Sequence, residues 1–151
     1  MTIIQTLGAF FATISLAIIL GVPKKFTALA GLDGAIGWLV YLALGSGEEH
    51  IVFRSFAAAL IVALVSHSFA RILKAPVTVF LISGILPLVP GTGMYRIAYY
   101  FIEGDGKLFS YYLSQTILVA GVIAIAIFIM DTIFRIFQQK LPMKRKKEED
   151  A

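Results

Sequence analysis

The residues with the clearest potential for binding chemistry lie in one stretch, GILPLVPGTG at positions 84–93. Two prolines and three glycines fall there inside an otherwise apolar segment. Proline removes a backbone donor and clashes with the preceding turn, so an α-helix cannot run undisturbed through this stretch. If the segment crosses a membrane, its unwound backbone must be buried in protein or line a water-filled cavity. Such breaks present unpaired N–H and C=O groups to substrates and ions, and we therefore predict a binding site here.

A second half-helix is predicted to begin after Pro90, with Thr92 as its N-terminal cap. The N–H groups of Gly93, Met94 and Tyr95 would then point toward the membrane centre. The positive end of the helix dipole favours a carboxylate at that place. The pattern therefore predicts that the ligand carries a carboxylate.

Arg96 falls in the first turn of the same half-helix. A charged side chain costs about 2.5–3.5 kcal/mol or more at the bilayer centre, so an arginine there favours a functional role. At helical spacing Arg96 shares a face with Tyr100, and Tyr95 shares another with Tyr99. The alternative is that the prolines only kink a packed helix and that Arg96 extends to the outer interface. The predicted substrate-binding residues are Pro87, Pro90, Gly91, Thr92, Gly93, Tyr95, Arg96 and Tyr99.

Three more ionisable residues, Asp33, His67 and Asp131, lie within apolar segments. Each falls about 9–10 Å inside the predicted cytoplasmic end of its helix. Residues of this kind are rare in membrane helices and often mark proton or ion routes, so we predict ion coupling by all three. The alternatives are an ion pair between Asp131 and Arg135 and a hydrogen bond from His67 to a neighbouring helix. The small residues around Asp33 also predict a close-packing surface, which is compatible with a functional role for Asp33.

These side chains must be positioned by membrane helices. The chain has 151 residues, of which 59% are hydrophobic and 15% charged, against about 45–50% and about 25% in soluble domains. A span needs about 20 mostly apolar residues. Five segments qualify, at residues 3–22, 26–45, 51–73, 76–102 and 110–137. We predict an all-α membrane protein of about five transmembrane helices, the fourth broken between Pro87 and Gly93; four spans are the alternative.

The charges alternate between the two ends of these segments. Ten of the thirteen Lys and Arg residues fall on one side: Lys24, Lys25, Arg71, Lys74, Arg135, Lys140, Lys144, Arg145, Lys146 and Lys147. Positive charge accumulates in the cytoplasm, so we predict an outer N-terminus and a cytoplasmic C-terminus in a bacterial inner membrane. Residues 1–139 are predicted to form the transmembrane domain and residues 140–151 a basic, then acidic, tail. That tail suits anionic lipid rather than nucleic acid.

Motifs for other chemistry are missing from the sequence. There are no cysteines, which excludes disulfides and thiolate metal sites. His50 and His67 do not form an H-E-x-x-H motif, and no serine stands in a G-x-S-x-G elbow. We therefore predict no enzyme, no cofactor and no metal site.

Residues 74–82 (KAPVTVFLI) and 87–95 (PLVPGTGMY) resemble the threonine/serine exporter family. The likeness is to the small subunit of the split type, in which a short membrane chain works with a larger partner. Pro87, Pro90, Gly91 and Tyr95 match the family motif. The resemblance implies export of small amino acids such as threonine and serine, and for some relatives of succinate-like dicarboxylates.

Taken together, the sequence predicts an exporter subunit for small amino acids or related carboxylates, coupled to an ion or proton gradient. Five helices are few for a complete alternating-access machine, which usually contains paired repeats. We therefore expect a larger membrane partner of the same family or a homo-oligomer. A non-transporting scaffold subunit and a channel are the alternatives.

Overall fold

The computed structural model describes residues 2–45 and 50–149, with side chains as far as residue 137. Its helices are α1 (Thr2–Ile19), α2 (Lys24–Ala43), α3 (Ile51–Leu73), α4 (Thr78–Ile85), α5 (Gly91–Glu103) and α6 (Gly106–Glu149). A 3₁₀ turn, Leu86–Leu88, follows α4 directly. The described residues contain no strand, which confirms the all-α prediction.

Helices α1, α2 and α3 and the Gly106–Phe137 part of α6 are each long and apolar enough to cross a membrane. The remaining candidate is the pair formed by Thr78–Leu88 and α5, which is bent by 48°. Counting that pair as one span gives five, with the fourth broken where the sequence predicted. The predicted division at residue 140 falls inside α6 and stays a prediction.

Residues with left-handed or restricted backbone end the helices. Gly21 follows α1 at φ 75°, and Pro23 stands immediately before α2. Lys74 caps α3 in the left-handed conformation, and Gly104 does the same for α5 at φ 80°. Asp105 then starts α6, since its Oδ1 accepts the N–H groups of two first-turn residues at 3.0 Å each, which is the usual role of an N-cap aspartate.

Glycines set the spacing of the helices. Gly34 of α2 lies directly against Thr13 of α1, and Gly37 of α2 lies against Val62 of α3. A Cβ added to either glycine would overlap the facing side chain. In lipid, close packing of small residues is the main force that holds helices together. The predicted close-packing surface around Asp33 is confirmed.

Helix α5 differs from the others in its packing. Among the described elements it contacts α6 and no other helix. Helix α2, by contrast, packs against α1, α3 and α4. The hairpin of α5 and α6 therefore leaves a gap between α5 and the α2–α3 pair, at the level of the broken span.

Candidate functional site

A cavity of about 190 Å³ occupies the gap between α5 and the α2–α3 pair. Its walls come from α2, α3, the 3₁₀ turn, the first turns of α5, and α6. Six of the eight predicted substrate-binding residues line it: Pro87, Pro90, Gly91, Thr92, Gly93 and Arg96. The broken span therefore lines a cavity enclosed by protein, with polar groups in an otherwise largely apolar wall.

The other two predicted residues, Tyr95 and Tyr99, lie outside the cavity wall. They are 68% and 47% exposed, and their rings stack on each other at 6.3 Å. Their shared helical face is the expected one, but it is not the face that meets the cavity. Helical rotation puts Arg96 on the cavity side and its neighbour Tyr95 off it.

The predicted cap of α5 was wrong. Helix α5 begins at Gly91 with Pro90 before it, and no side chain caps this end. The N–H of Met94 donates to the Pro90 carbonyl at 3.1 Å, and the N–H of Gly91 donates to Val89 at 2.7 Å. Pro90 turns the chain at φ −75° and ψ 58°, so Pro90 rather than Thr92 is the N-cap residue, and its carbonyl accepts the first hydrogen bond of α5.

The N–H groups of Thr92 and Gly93 are the first-turn donors left without an acceptor among the described residues. Opposite them, Pro87 has no N–H and leaves the carbonyl four residues earlier without its helical partner. The 3₁₀ turn closes instead with Val89 donating to Leu86 at 3.2 Å. The cavity therefore meets α5 at its N-terminal end and the other half-helix at the 3₁₀ turn that ends it.

Arg96 is oriented by aromatic side chains from α5 and α6. Its Nη1 donates to the Tyr112 hydroxyl at 3.0 Å, and its guanidinium carbon lies 4.9 Å from the centre of that ring. Tyr112 stacks in turn on Tyr100 at 5.4 Å, with the rings nearly parallel. These contacts hold the positive charge of Arg96 at the cavity wall.

A second arginine lies behind the opposite wall. Trp38 and Tyr41 of α2 line the cavity and stack at 5.2 Å. The Arg54 guanidinium lies 4.1 Å from the centre of the Tyr41 ring, and its Nε donates to the Tyr41 carbonyl at 2.9 Å. Arg54 is only 7% exposed.

Sequence reasoning also missed several cavity residues on α2, α3 and α6. They are Trp38, Tyr41, Ser55, Tyr112, Gln115 and Thr116. Three of them, Tyr112, Gln115 and Thr116, are spaced so that they share one face of α6. Polar residues on one face of an apolar span were the sequence signal that could have indicated the cavity wall.

Asp33 lies apart from the cavity, between α2, α3 and α4. It is fully buried, and the Ser66 hydroxyl donates to its Oδ2. Its Oδ1 has no hydrogen-bond partner among the described residues. A Cβ placed on Gly84 would lie 2.8 Å from Asp33 Oδ2 and 3.1 Å from Val62 Cγ1. Gly84 therefore packs tightly against both the Asp33 carboxylate and the Val62 side chain.

His67 and Asp131 form a separate cluster between α3 and α6. The His67 Nε2 is buried and lies 4.0 Å from Asp131 Oδ1, too far for a hydrogen bond. The Nε2 atom of His67 therefore does not make the predicted alternative, a hydrogen bond to a neighbouring helix, with any residue that the structure describes. The ring stacks on Phe134 at 4.5 Å. The ion pair of Asp131 with Arg135 is present at 2.7 Å, as expected from their spacing.

The three residues predicted for ion coupling therefore fall into two groups. Ser66 and His67 are adjacent on α3 but face different helices, since Ser66 meets Asp33 of α2 and His67 meets Asp131 of α6. Among the described residues, no three His, Cys, Asp or Glu side chains lie close enough together to hold a metal ion.

Comparison with known proteins points to one family. The family model described as "Threonine/Serine exporter, ThrE" matches residues 5–133. A curated relative, the "Probable threonine/serine exporter" of Mycobacterium tuberculosis (strain ATCC 25618 / H37Rv), is 29% identical over 98 residues. That match covers 65% of this chain and 18% of the relative, so this chain spans less than a fifth of the relative's length. No solved structure matches.

Proposed function

Because the chain belongs to the threonine/serine exporter family, we propose that it forms a membrane-spanning part of an exporter of small amino acids, threonine and serine among them, or of related small carboxylates. Its role is transport rather than catalysis of a chemical reaction. The observation that carries the proposal is the cavity at the α4–α5 break, which places Arg96 beside unwound backbone.

The two half-helix ends suit a zwitterion. The substrate carboxylate would bind at the first turn of α5, where the N–H groups of Thr92 and Gly93, the helix dipole and Arg96 all favour negative charge. The ammonium group would face the carbonyl end of the 3₁₀ turn, as in other broken membrane helices. Pockets for drug-sized ligands have about 300–1,000 Å³. The present volume of about 190 Å³ fits a smaller molecule.

The test of this site is the Arg96→Ala variant, assayed as uptake of labelled threonine into everted membrane vesicles. We expect transport to fall to the background of vesicles without the protein, while the amount of inserted protein stays normal. Lys107→Ala is the matched control, because Lys107 is an exposed cation on the same side of the bundle and outside the cavity wall. Normal transport by Arg96→Ala would remove Arg96 from the site. If the wild-type protein, assembled with its partner chain, moves neither amino acids nor small carboxylates, the proposed function fails.

Asp33 is the proposed carrier of the coupling ion. An ionised carboxylate with a single hydrogen-bond donor is costly inside a membrane protein, so its charge must be compensated. The lack of room for even a methyl group beside Oδ2 favours a proton over a metal cation. We expect Asp33→Asn, which keeps the acceptor for Ser66, to abolish transport driven by a pH gradient. If the transport rate of the Asp33→Asn variant depends on the pH gradient as strongly as that of the wild-type protein, this role is excluded.

His67 and Asp131 are a second proposed point on the coupling route, because an imidazole and a carboxyl group 4.0 Å apart can pass a proton between them after a small movement. Replacing His67 by Gln tests this role. We expect a reduced response to pH, with threonine affinity unchanged. An unchanged response to pH would exclude it.

We also propose that a larger membrane chain of the same family, or further copies of this chain, complete the exporter. The support is that the relative extends well beyond the matched part, together with the small number of spans. Reconstitution of this chain alone and with the partner tests the proposal. Transport by the single chain as a monomer would refute it. Transport by the complex that survives Arg96→Ala would assign the chain a scaffold role instead.

The proposed location is a bacterial inner membrane, with the N-terminus outside and the C-terminus in the cytoplasm. The distribution of Lys and Arg supports this orientation. Fusions of a periplasm-active and a cytoplasm-active reporter to the C-terminus test it. Activity of the periplasmic reporter would reverse the orientation.

A further inference from the structure

Thr116 of α6 occupies a special place in the cavity wall. It lies one helical turn from Tyr112, which holds Arg96. A Cβ placed on Gly93 would overlap Thr116 Oγ1, whereas Thr116 Cγ2 would stay 3.5 Å away. The hydroxyl group, and not the methyl group, therefore faces the first turn of α5. Gly93 makes this approach feasible, because any larger residue would collide with the hydroxyl.

Thr116 lacks the local hydrogen bond that several Ser and Thr residues of the helices make. Ser55 donates to Ile51 O and Ser114 donates to Ser110 O, both at 2.7 Å and both four residues earlier. This local bond is the usual partner of Ser and Thr within a helix. Thr116 makes no hydrogen bond to any residue that the structure describes. No described residue therefore takes up its O–H donor or its lone pairs, and Thr116 lines the cavity.

We propose, resting on the proposed function, that Thr116 is a specificity-determining residue that binds the side-chain hydroxyl of the substrate. Arg96 and Thr116 line the same cavity of about 190 Å³, so one small ligand in it is within reach of both. A substrate whose carboxylate meets Arg96 thereby brings its β-hydroxyl to Thr116. A polar group left unpaired in a site built for hydrogen bonding is costly, so the isostere without the hydroxyl is disfavoured.

The test uses threonine and valine, which have nearly the same shape and differ by a hydroxyl against a methyl. The measurement is the ratio of the inhibition constants of unlabelled threonine and valine against labelled serine uptake by the full exporter. The wild-type protein is expected to prefer threonine. Thr116→Val is expected to reduce that preference by roughly three- to tenfold, which is the worth of one neutral hydrogen bond.

Two matched variants separate this role from a general effect on folding. Thr116→Ser keeps the hydroxyl and is expected to keep the preference. Ser55→Ala removes a cavity hydroxyl whose donor is already engaged by Ile51, and it too is expected to keep the preference. A Thr116→Val protein that transports with the wild-type preference overturns the inference and leaves the proposed function intact. If Thr116→Val does not insert, a lost preference in Thr116→Ser overturns the inference equally.

Discussion

Replacing Gly84 by alanine probes the packing around the buried carboxylate. The new methyl carbon would lie 2.8 Å from Asp33 Oδ2, 3.0 Å from Asp33 Cγ and 3.1 Å from Val62 Cγ1. Neither neighbour can move easily. Both residues are fully buried, and valine is restricted to few rotamers within a helix. Helices α2 and α4 must therefore separate to admit the methyl group.

Gly121→Ala supplies the reference for this change. Gly121 lies within α6, and a Cβ there would meet nothing within 4 Å. In both variants alanine gains about 0.5–1 kcal/mol over glycine within a helix, so this gain cancels in their difference. What remains is the overpacking cost at Gly84, about 1–3 kcal/mol. We expect Gly84→Ala to have a free energy of unfolding lower than that of Gly121→Ala by this amount.

The assay is reversible unfolding in mixed micelles, followed by the fluorescence of Trp38. The double variant Gly84→Ala/Asp33→Ala should recover part of the loss, because two of the three close contacts come from the Asp33 side chain. Equal stability of Gly84→Ala and Gly121→Ala would refute the proposed tight packing. If Gly84→Ala lowers the free energy of unfolding equally in the wild-type and Asp33→Ala backgrounds, the clash does not involve the Asp33 side chain.

Two further changes test local contacts. Arg54→Lys should lower the free energy of unfolding by about 1.5–3 kcal/mol in the same assay. The reason is that an ammonium group cannot both stack on the Tyr41 ring and reproduce the Nε hydrogen bond to the Tyr41 carbonyl. An unchanged free energy of unfolding would mean that the stack is dispensable. Asp105→Ala should cost about 1 kcal/mol by loss of the α6 cap, and Asp105→Asn should cost little; equal losses for both would contradict a capping role.

The architecture could be predicted largely from the sequence, because the features that determine it are local. A run of apolar residues has to be a helix in lipid, and Pro87 and Pro90 have to interrupt it. The pair of Asp131 and Arg135 followed from helical spacing alone. These predictions needed no knowledge of how the helices are arranged around one another.

The missed features depend on rotation and contact between helices. Arg54 looks like any charge near a span end until Tyr41 is known to lie beside it. Thr116 is one hydroxyl among many until Gly93 brings α5 against it. The error at Thr92 came from backbone geometry, since the turn at Pro90 starts α5 at Gly91. Sequence periodicity gives the faces of a helix but not which neighbour each face meets.

The length of α6 links the width of the cavity to the bilayer itself. The 32 residues of Gly106–Phe137 extend about 48 Å at about 1.5 Å per residue, against a hydrocarbon layer of about 30 Å. Such an excess is accommodated by tilting, to a degree that depends on lipid thickness. Among the described elements α5 packs against α6 and no other helix, so α5 is expected to follow α6 when the tilt changes. Short-chain and long-chain lipids are then expected to set the α5 wall at different distances from Trp38 and Tyr41 on the other side of the cavity.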